Sequence, residues 1–269
     1  MCGRYTLVTK VSAIEKRFNV SASEAVRADF VPNTNISHGN SALVITDKEP
    51  GQLSMFQFGF TPSWAKKQYY VINARAEGDK NKANDHLYTG AKEIFKKPMF
   101  RQSIRSKRCL VVADCFYEGP EKEKLKKPHV VYLRGGKRPF AFAGIWDEWV
   151  DVETGELIES FAIITTVSNE VTRAIGHHRC PVVLSYEDER AWLDKNASLP
   201  EVLSLLTPYP ANLMNAYPVD PQMRSPQSNG MHLLDPIGER LFPEFEIGIS
   251  QEIRLEGMGE TTGRRKRRQ

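Results

Sequence analysis

The chain has 269 residues but only four cysteines, Cys2, Cys109, Cys115 and Cys180, and none of them forms a C-x-x-C pair. That spacing argues against a zinc knuckle or a dithiol redox pair and fits free thiols in a reducing cytoplasm. No apolar run approaches the roughly 18 residues that a membrane-spanning helix needs. The opening Met-Cys-Gly-Arg-Tyr-Thr leads into mixed sequence with no apolar signal region, and no lipobox precedes Cys2. A cytoplasmic protein without a membrane partner is expected. An excess of one charge is also missing from the body of the chain. The formal charge is +4, and subtracting the five positive residues Arg264, Arg265, Lys266, Arg267 and Arg268 leaves −1. Any nucleic-acid site must therefore come from a few placed basic side chains rather than from global charge.

Internal repeats and linkers are absent as well, so a single domain is expected, of a size within the single-domain range. Short apolar stretches bounded by turns predict a β-rich α+β fold, with strands at Ala42–Thr46, Leu53–Phe60, Cys109–Ala113, Val130–Leu133, Phe140–Trp149, Phe161–Thr166, Val182–Leu184 and Leu213–Pro218. Helices are expected from Val11 to Phe18, from Pro98 to Arg108, from Ser168 to Ile175, after Ser185, and from Leu199 to Leu206. The stretch from Asp29 to Gly39 is full of turn formers and reads as a loop. Residues 78–97 read as a polar, lysine-rich excursion with at most a short helix over Ala91–Phe95, and the chain from Asp220 onward as loosely structured.

Cys2 has the most distinctive chemistry. Removing Met1 would give it a free α-amine and a thiol on adjacent carbons, with ordinary pKa values near ~7.7–8.0 and ~8.5. An aldehyde meeting this 1,2-aminothiol forms a Schiff base, and the thiol then closes a thiazolidine ring. An ester or amide would instead be attacked by the thiolate, with the amine as base. Four further spots could carry chemistry. Glu118, beside Phe116 and Tyr117 at a strand end, is a general acid if buried and an ordinary surface carboxylate if not. His177 and His178 offer a proton shuttle or a surface pair on a turn, and no third ligand at metal spacing accompanies them, so no metal site is expected. Asn73 and Arg75 share a face of an extended segment, where one could orient a substrate carbonyl or hydroxyl and the other grip a phosphate. Trp64 can stack on a base or cap the core.

The order of these residues resembles the SRAP family, the SOS-response-associated peptidase-like proteins. The resemblance rests on Met1-Cys2-Gly3-Arg4-Tyr5, the Pro-Ser-Trp-Ala loop at 62–65, and Asn73-Ala74-Arg75-Ala76-Glu77. It continues through Arg108-Cys109-Leu110-Val111, Asp114 with Phe116-Tyr117-Glu118, His177-His178-Arg179-Cys180-Pro181 and Tyr217-Pro218-Val219, and it spans Cys2 to about Pro236. It implies a single domain over 2–245, a mixed or antiparallel barrel-like core with flanking short helices, followed by a flexible tail over 246–269. It also implies a DNA-repair protein, a monomer without cofactor, that crosslinks through Cys2 to the ring-opened aldehyde of an abasic site in single-stranded DNA. Met1 would be removed by the protein itself or by its host.

By the same resemblance Asn73 positions the sugar, Glu118 acts as acid and base, and His177 assists proton transfer. Arg4, Arg75 and Arg179 would bind flanking phosphates, and Trp64 would pack against nucleotides. The location expected is the nucleoid of a bacterium or the nucleus of a eukaryote. Two other functions fit Cys2 or the basic residues: an N-terminal-nucleophile cysteine amidohydrolase or peptidase, and a non-catalytic reader of modified DNA. The chain departs from the family pattern at Cys115, where Gly is usual, at Gly119, where Trp is common, and at Cys180, where Met is common. The Asn-x-x-Pro-Thr loop stands as Asp29-Phe30-Val31-Pro32-Asn33-Thr34, and the 78–97 stretch exceeds the family minimum.

Overall fold

The computed structural model describes residues 2–244 together with Gln251, Ile253 and Arg254. The strands from the first half are β1 (Tyr5–Leu7), β2 (Ser21–Ala22), β3 (Asn33–Ile36), β4 (Ser41–Thr46), β5 (Gln52–Phe58), β6 (Asn73–Arg75), β7 (Arg108–Ala113) and β8 (Cys115–Glu118). Those that follow are β9 (His129–Leu133), β10 (Phe140–Val150), β11 (Leu157–Val167), β12 (Arg179–Pro181) and β13 (Met214–Pro218). Short helices flank them: α1 (Val11–Phe18), α2 (Glu24–Asp29), α3 (Ser103–Ser106), α4 (Glu170–Ala174), α5 (Tyr186–Leu193) and α6 (Leu199–Ser204).

Five strands close into a barrel in the order β11-β10-β7-β4-β5, and the ring is completed by a short parallel pairing of β5 with β11 at Gln57 and Phe58. Closure removes the exposed edges that an open sheet of such apolar strands would present. A second, antiparallel sheet runs β13-β9-β8-β1-β3. The β-rich α+β fold read from the sequence is therefore the observed one. The two sheets share a core around Phe142, whose ring meets Tyr5, Phe116 and Phe140 edge-on at 6.0, 5.6 and 5.2 Å. That geometry suits the aromatic quadrupoles. Gly144 lets β10 approach β7 closely, since a Cβ there would lie 2.8 Å from both Cys109 Sγ and Val111 Cγ2.

Asp114 ties β1 to the chain between β7 and β8. Its Oδ2 accepts the backbone N–H groups of Val8 and Thr9 at 2.7 and 3.0 Å, and its Oδ1 accepts the Thr9 hydroxyl at 2.5 Å. Asp114→Ala removes both acceptor oxygens, and with them three hydrogen bonds, from a buried site. At about 1 kcal/mol per bond the loss is on the order of 3 kcal/mol, which a thermal melt should show as a Tm lower by roughly 6–12 °C.

Several local expectations are corrected. The predicted loop at 29–39 contains β3, a polar strand that pairs with β1, and Asn35 inside it is buried. Its side chain donates to the carbonyls of Met223, Ser225 and Ser228. Long-range partners thus override its turn-forming composition. The helix expected up to Arg108 shrinks to α3, and Arg108 opens β7. The buried guanidinium of Arg108 donates to Ile104 O and Arg105 O within α3, and to Trp192 O and Asp194 O at the end of α5. The cap of α4 is Asn169, whose Oδ1 accepts the Thr172 N–H at 3.0 Å, rather than Ser168. The strand expected at 182–184 is displaced to Arg179–Pro181 because the pairing with β11 runs through Thr165, Thr166 and Val167.

The segment after Asp220 is not loose. Met223, Leu233 and Leu234 are fully buried against Val8, Cys115, Tyr117 and Tyr217 on the outer face of the second sheet. Ile253 joins the same cluster and Arg254 pairs with Asp235 at 3.1 Å, so packing extends past residue 245. The basic run 264–268 lies outside the described residues.

Candidate active site

Antiparallel pairing of β1 with β8 sets Tyr5 opposite Phe116 and Thr6 opposite Cys115, and the Tyr117 N–H donates to Arg4 O at 3.0 Å. Continuing that register brings Glu118 beside Gly3 and Cys2. On the barrel side, β6 runs parallel to β11 with Asn73 opposite Ile163, and the Asn73 amide donates to Cys2 O at 3.0 Å. His177 enters from the turn after α4, where its backbone N–H donates to Thr172 O at 2.8 Å. Its Nε2 stands 3.4 Å from Glu118 Oε1. Four distant sequence positions, Cys2, Asn73, Glu118 and His177, thus meet at the seam of the two sheets.

Burial governs the protonation of the cluster. The Cys2 thiol is fully enclosed, and desolvation together with the nearby Glu118 carboxylate and Cys180 holds its pKa well above the ordinary value. Burial also raises the Glu118 pKa, favouring the protonated acid. It pushes His177 the other way, down to about 4, so the imidazole is neutral at neutral pH. The Arg179 N–H lies 3.2 Å from His177 Nδ1. Nδ1 also lies 3.0 Å from Arg179 O, so the backbone of Arg179 holds this edge of the ring and leaves Nε2 facing Glu118.

The basic residues expected at phosphates are mostly committed inside the protein. Arg179 is 2% exposed and pairs through Nη2 with Glu77 at 2.7 Å and Thr165 O at 2.8 Å, while its Nε and Nη1 have no hydrogen-bond partner among the described residues. Arg4 is 9% exposed and bonds Asn35 Oδ1 and Arg224 O, both at 3.1 Å. Half-buried Arg75 directs Nη2 to Asn81 O and, at 2.9 Å, to Asn84 Oδ1, fastening the 78–97 segment to β6. Trp64 is 56% exposed on a loop held from below. The Ser63 N–H donates to Asp147 Oδ2 at 2.8 Å and the Trp149 indole donates to Ala65 O at 2.7 Å.

Sequence reasoning missed Glu77. It is fully buried and bonded to Arg179, Lys92 and Thr166. Burial raises its pKa, but Arg179 outweighs that and leaves it below the ordinary value. Its place in the Asn73-Ala74-Arg75-Ala76-Glu77 block was the available signal, and only the pairing of β6 and β12 to either side of β11 reveals its partner. Gly119 is also explained, because a Cβ there would collide with the carbonyl oxygen of Lys124. The turn after β8 leaves no room for the Trp common at that position.

Comparison with solved structures places the fold among known ones. A protein of Bacteroides thetaiotaomicron superposes with a TM-score of 0.73 at 27% identity, covering 88% of this chain and 100% of the other. The family model described as SOS response associated peptidase (SRAP) matches residues 1–226. The chain belongs to the SRAP family. Its relatives include the abasic site processing protein YoaM of Bacillus subtilis (strain 168), 35% identical over 241 residues, covering 87% of this chain and 98% of that protein. Another is the abasic site processing protein YedK of Escherichia coli (strain K12), 25% identical over 246 residues, covering 88% and 100%.

Proposed function

We propose that this protein processes abasic sites by binding single-stranded DNA and capturing the lesion covalently through Cys2. The observation that carries the reading is the convergence of Cys2, Asn73, Glu118 and His177, in a chain whose relatives are named for abasic site processing. Protonated Glu118 donates to the ring oxygen of the abasic sugar while the anomeric hydroxyl gives up its proton to water, opening the ring to the aldehyde. The Cys2 α-amine, created by removal of Met1, attacks the carbonyl carbon, and water leaves as the imine forms. The thiol sulfur then adds to the imine carbon while its proton passes to the nitrogen, closing the thiazolidine with net loss of one water. A thiol kept protonated by burial suits this order, since the amine reacts first. Asn73 steadies the backbone carbonyl of Cys2. Its Oδ1 is buried without a hydrogen-bond partner among the described residues, which leaves an acceptor for the amine or a sugar hydroxyl.

The decisive experiment is intact-mass analysis after incubation with an oligonucleotide carrying one abasic site. A species at protein plus oligonucleotide minus one water, absent with undamaged DNA, supports the proposal. No such species from protein lacking Met1 overturns it.

The rate of capture should be bell-shaped in pH. The rate rises with deprotonation of the amine, near pH ~7.7 in model compounds, and falls with loss of the Glu118 proton, whose pKa burial raises above the ordinary carboxylate value. His177, neutral above about pH 4, contributes to neither change. Single-turnover rates for Glu118→Gln should fall by about 10²–10⁴, with the pH dependence that belongs to Glu118 lost.

Trp64 is the exposed aromatic nearest in sequence to Asn73 among the residues expected to touch DNA. Trp64→Ala should weaken single-strand binding by about 1–3 kcal/mol in a fluorescence anisotropy titration, without lowering Tm.

A further inference from the structure

An open pocket of about 290 Å³ adjoins the site, with His177 in its lining. Asn84 and His86 from the 78–97 segment contribute to its wall, and Ser168, Arg173, Gly176 and His178 complete the lining. Among the described residues no carboxylate lines it. Its groups are a permanent cation, imidazoles, an amide and a hydroxyl, a set rich in N–H and O–H donors. That chemistry suits a phosphodiester, and the volume lies near the lower end of the ~300–1,000 Å³ typical of ligand sites, enough for a unit the size of one nucleotide.

The wall supplied by residues 78–97 is built rather than loose. Gly78 turns with φ +58°, where a Cβ would meet Glu93 O at 2.9 Å. Asn81 and Asp85 exchange two bonds of 2.8 Å, Lys92 Nζ lies 3.4 Å from Glu77 Oε1, and Ile94 is fully buried. Arg75 holds the Asn84 side chain from β6, two residues past Asn73. Across the cavity, exposed Arg173 is steadied by donation from Nη1 to Ser168 O at 3.1 Å. Its remaining guanidinium donors make no hydrogen bond among the described residues.

We propose that this cavity seats the nucleotide flanking the abasic sugar, with Arg173 binding its phosphodiester and Asn84 and His86 forming the facing contacts. The proposal rests on the reading of the protein as one that acts on single-stranded DNA. It gives the long 78–97 segment a task, completing the strand-binding surface beside His177, and adds Arg173 to the side chains that recognise phosphate.

The test is equilibrium binding of a fluorescein-labelled single-stranded oligonucleotide without a lesion, titrated at several salt concentrations. Wild type is compared with Arg173→Glu, with the double variant Asn84→Ala/His86→Ala, and with Lys137→Glu. The last makes the same charge change as Arg173→Glu on a remote exposed turn. Arg173→Glu should bind about tenfold more weakly, with the slope of log K against log salt shallower by about 0.7 for one lost phosphate contact. The double variant should lose about threefold in affinity, and Lys137→Glu should change neither value appreciably. Arg173→Glu indistinguishable from Lys137→Glu in affinity and slope would overturn the proposal, as would absence of binding by the wild type. The adduct mass with lesion-bearing DNA is read separately, so failure of the covalent chemistry and failure of this subsite are distinguishable.

Discussion

Cys2→Ala is expected to abolish the heat-stable adduct with abasic single-stranded DNA while leaving non-covalent binding intact. The variant, once freed of Met1, still carries an α-amine, so the imine can form but the ring cannot close. Treatment with cyanoborohydride should therefore trap a reduced amine adduct in Cys2→Ala, and omission of the reductant should leave none after heating. This pair of results separates the thiol step from the amine step. An amidohydrolase would behave differently, because its nucleophile is the sulfur itself and reductant would restore nothing. A pure DNA reader would show no adduct in the wild type either. The truncation removes only a sulfur from a fully buried site, so a circular dichroism melt should stay close to wild type and show that the loss is chemical.

Arg179→Ala is expected to act on stability first. The guanidinium is enclosed between β12 and Glu77, and its removal strands a buried carboxylate whose remaining cation, Lys92 Nζ, is 3.4 Å away. Breaking such a pair from one side costs about 3–5 kcal/mol, a drop in Tm of roughly 6–20 °C for a domain of this size. Removing both partners in Arg179→Ala/Glu77→Ala should recover part of that loss. The Glu77 pKa is depressed in the folded protein, so the pair's stabilisation is present above the unfolded pKa and is lost as pH falls through the lower folded one. The deficit of Arg179→Ala should accordingly shrink in strongly acidic solution. Loss of single-strand affinity with an unchanged melting curve would show that the side chain reaches DNA.

These two residues also mark what could be read from the sequence. Cys2 stands out through chemistry that needs no neighbours, and the long apolar strands β10 and β11 are legible because they are buried on both faces. β3 was not legible, since Asn33-Thr34-Asn35-Ile36 carries turn formers and is recruited by β1 and by carbonyls nearly 190 residues further on. Helix α3 was overextended because the apolar spacing of Phe100 and Ile104 also fits turns leading into a buried strand. Within the site, residue types were readable but allegiances were not. An arginine beside a histidine fits a phosphate or an internal carboxylate equally well, and only the three-dimensional position of Glu77 decides. His177 and His178 differ in the same way, one packed at 3.4 Å from Glu118 and the other paired with Glu121 at 2.9 Å.

The central placement of β1 has a consequence for the timing of synthesis. Val8 and its anchor Asp114 are separated by 106 residues, and β1 has β8 on one side and β3 on the other. At roughly 5–20 residues per second a ribosome needs on the order of 5–20 s to make the intervening chain. During that interval Cys2 has been made while Glu118 and His177 do not yet exist. The nascent chain therefore carries Cys2 without the carboxyl and imidazole that meet it in the folded protein, and the complete constellation appears only when the second sheet assembles.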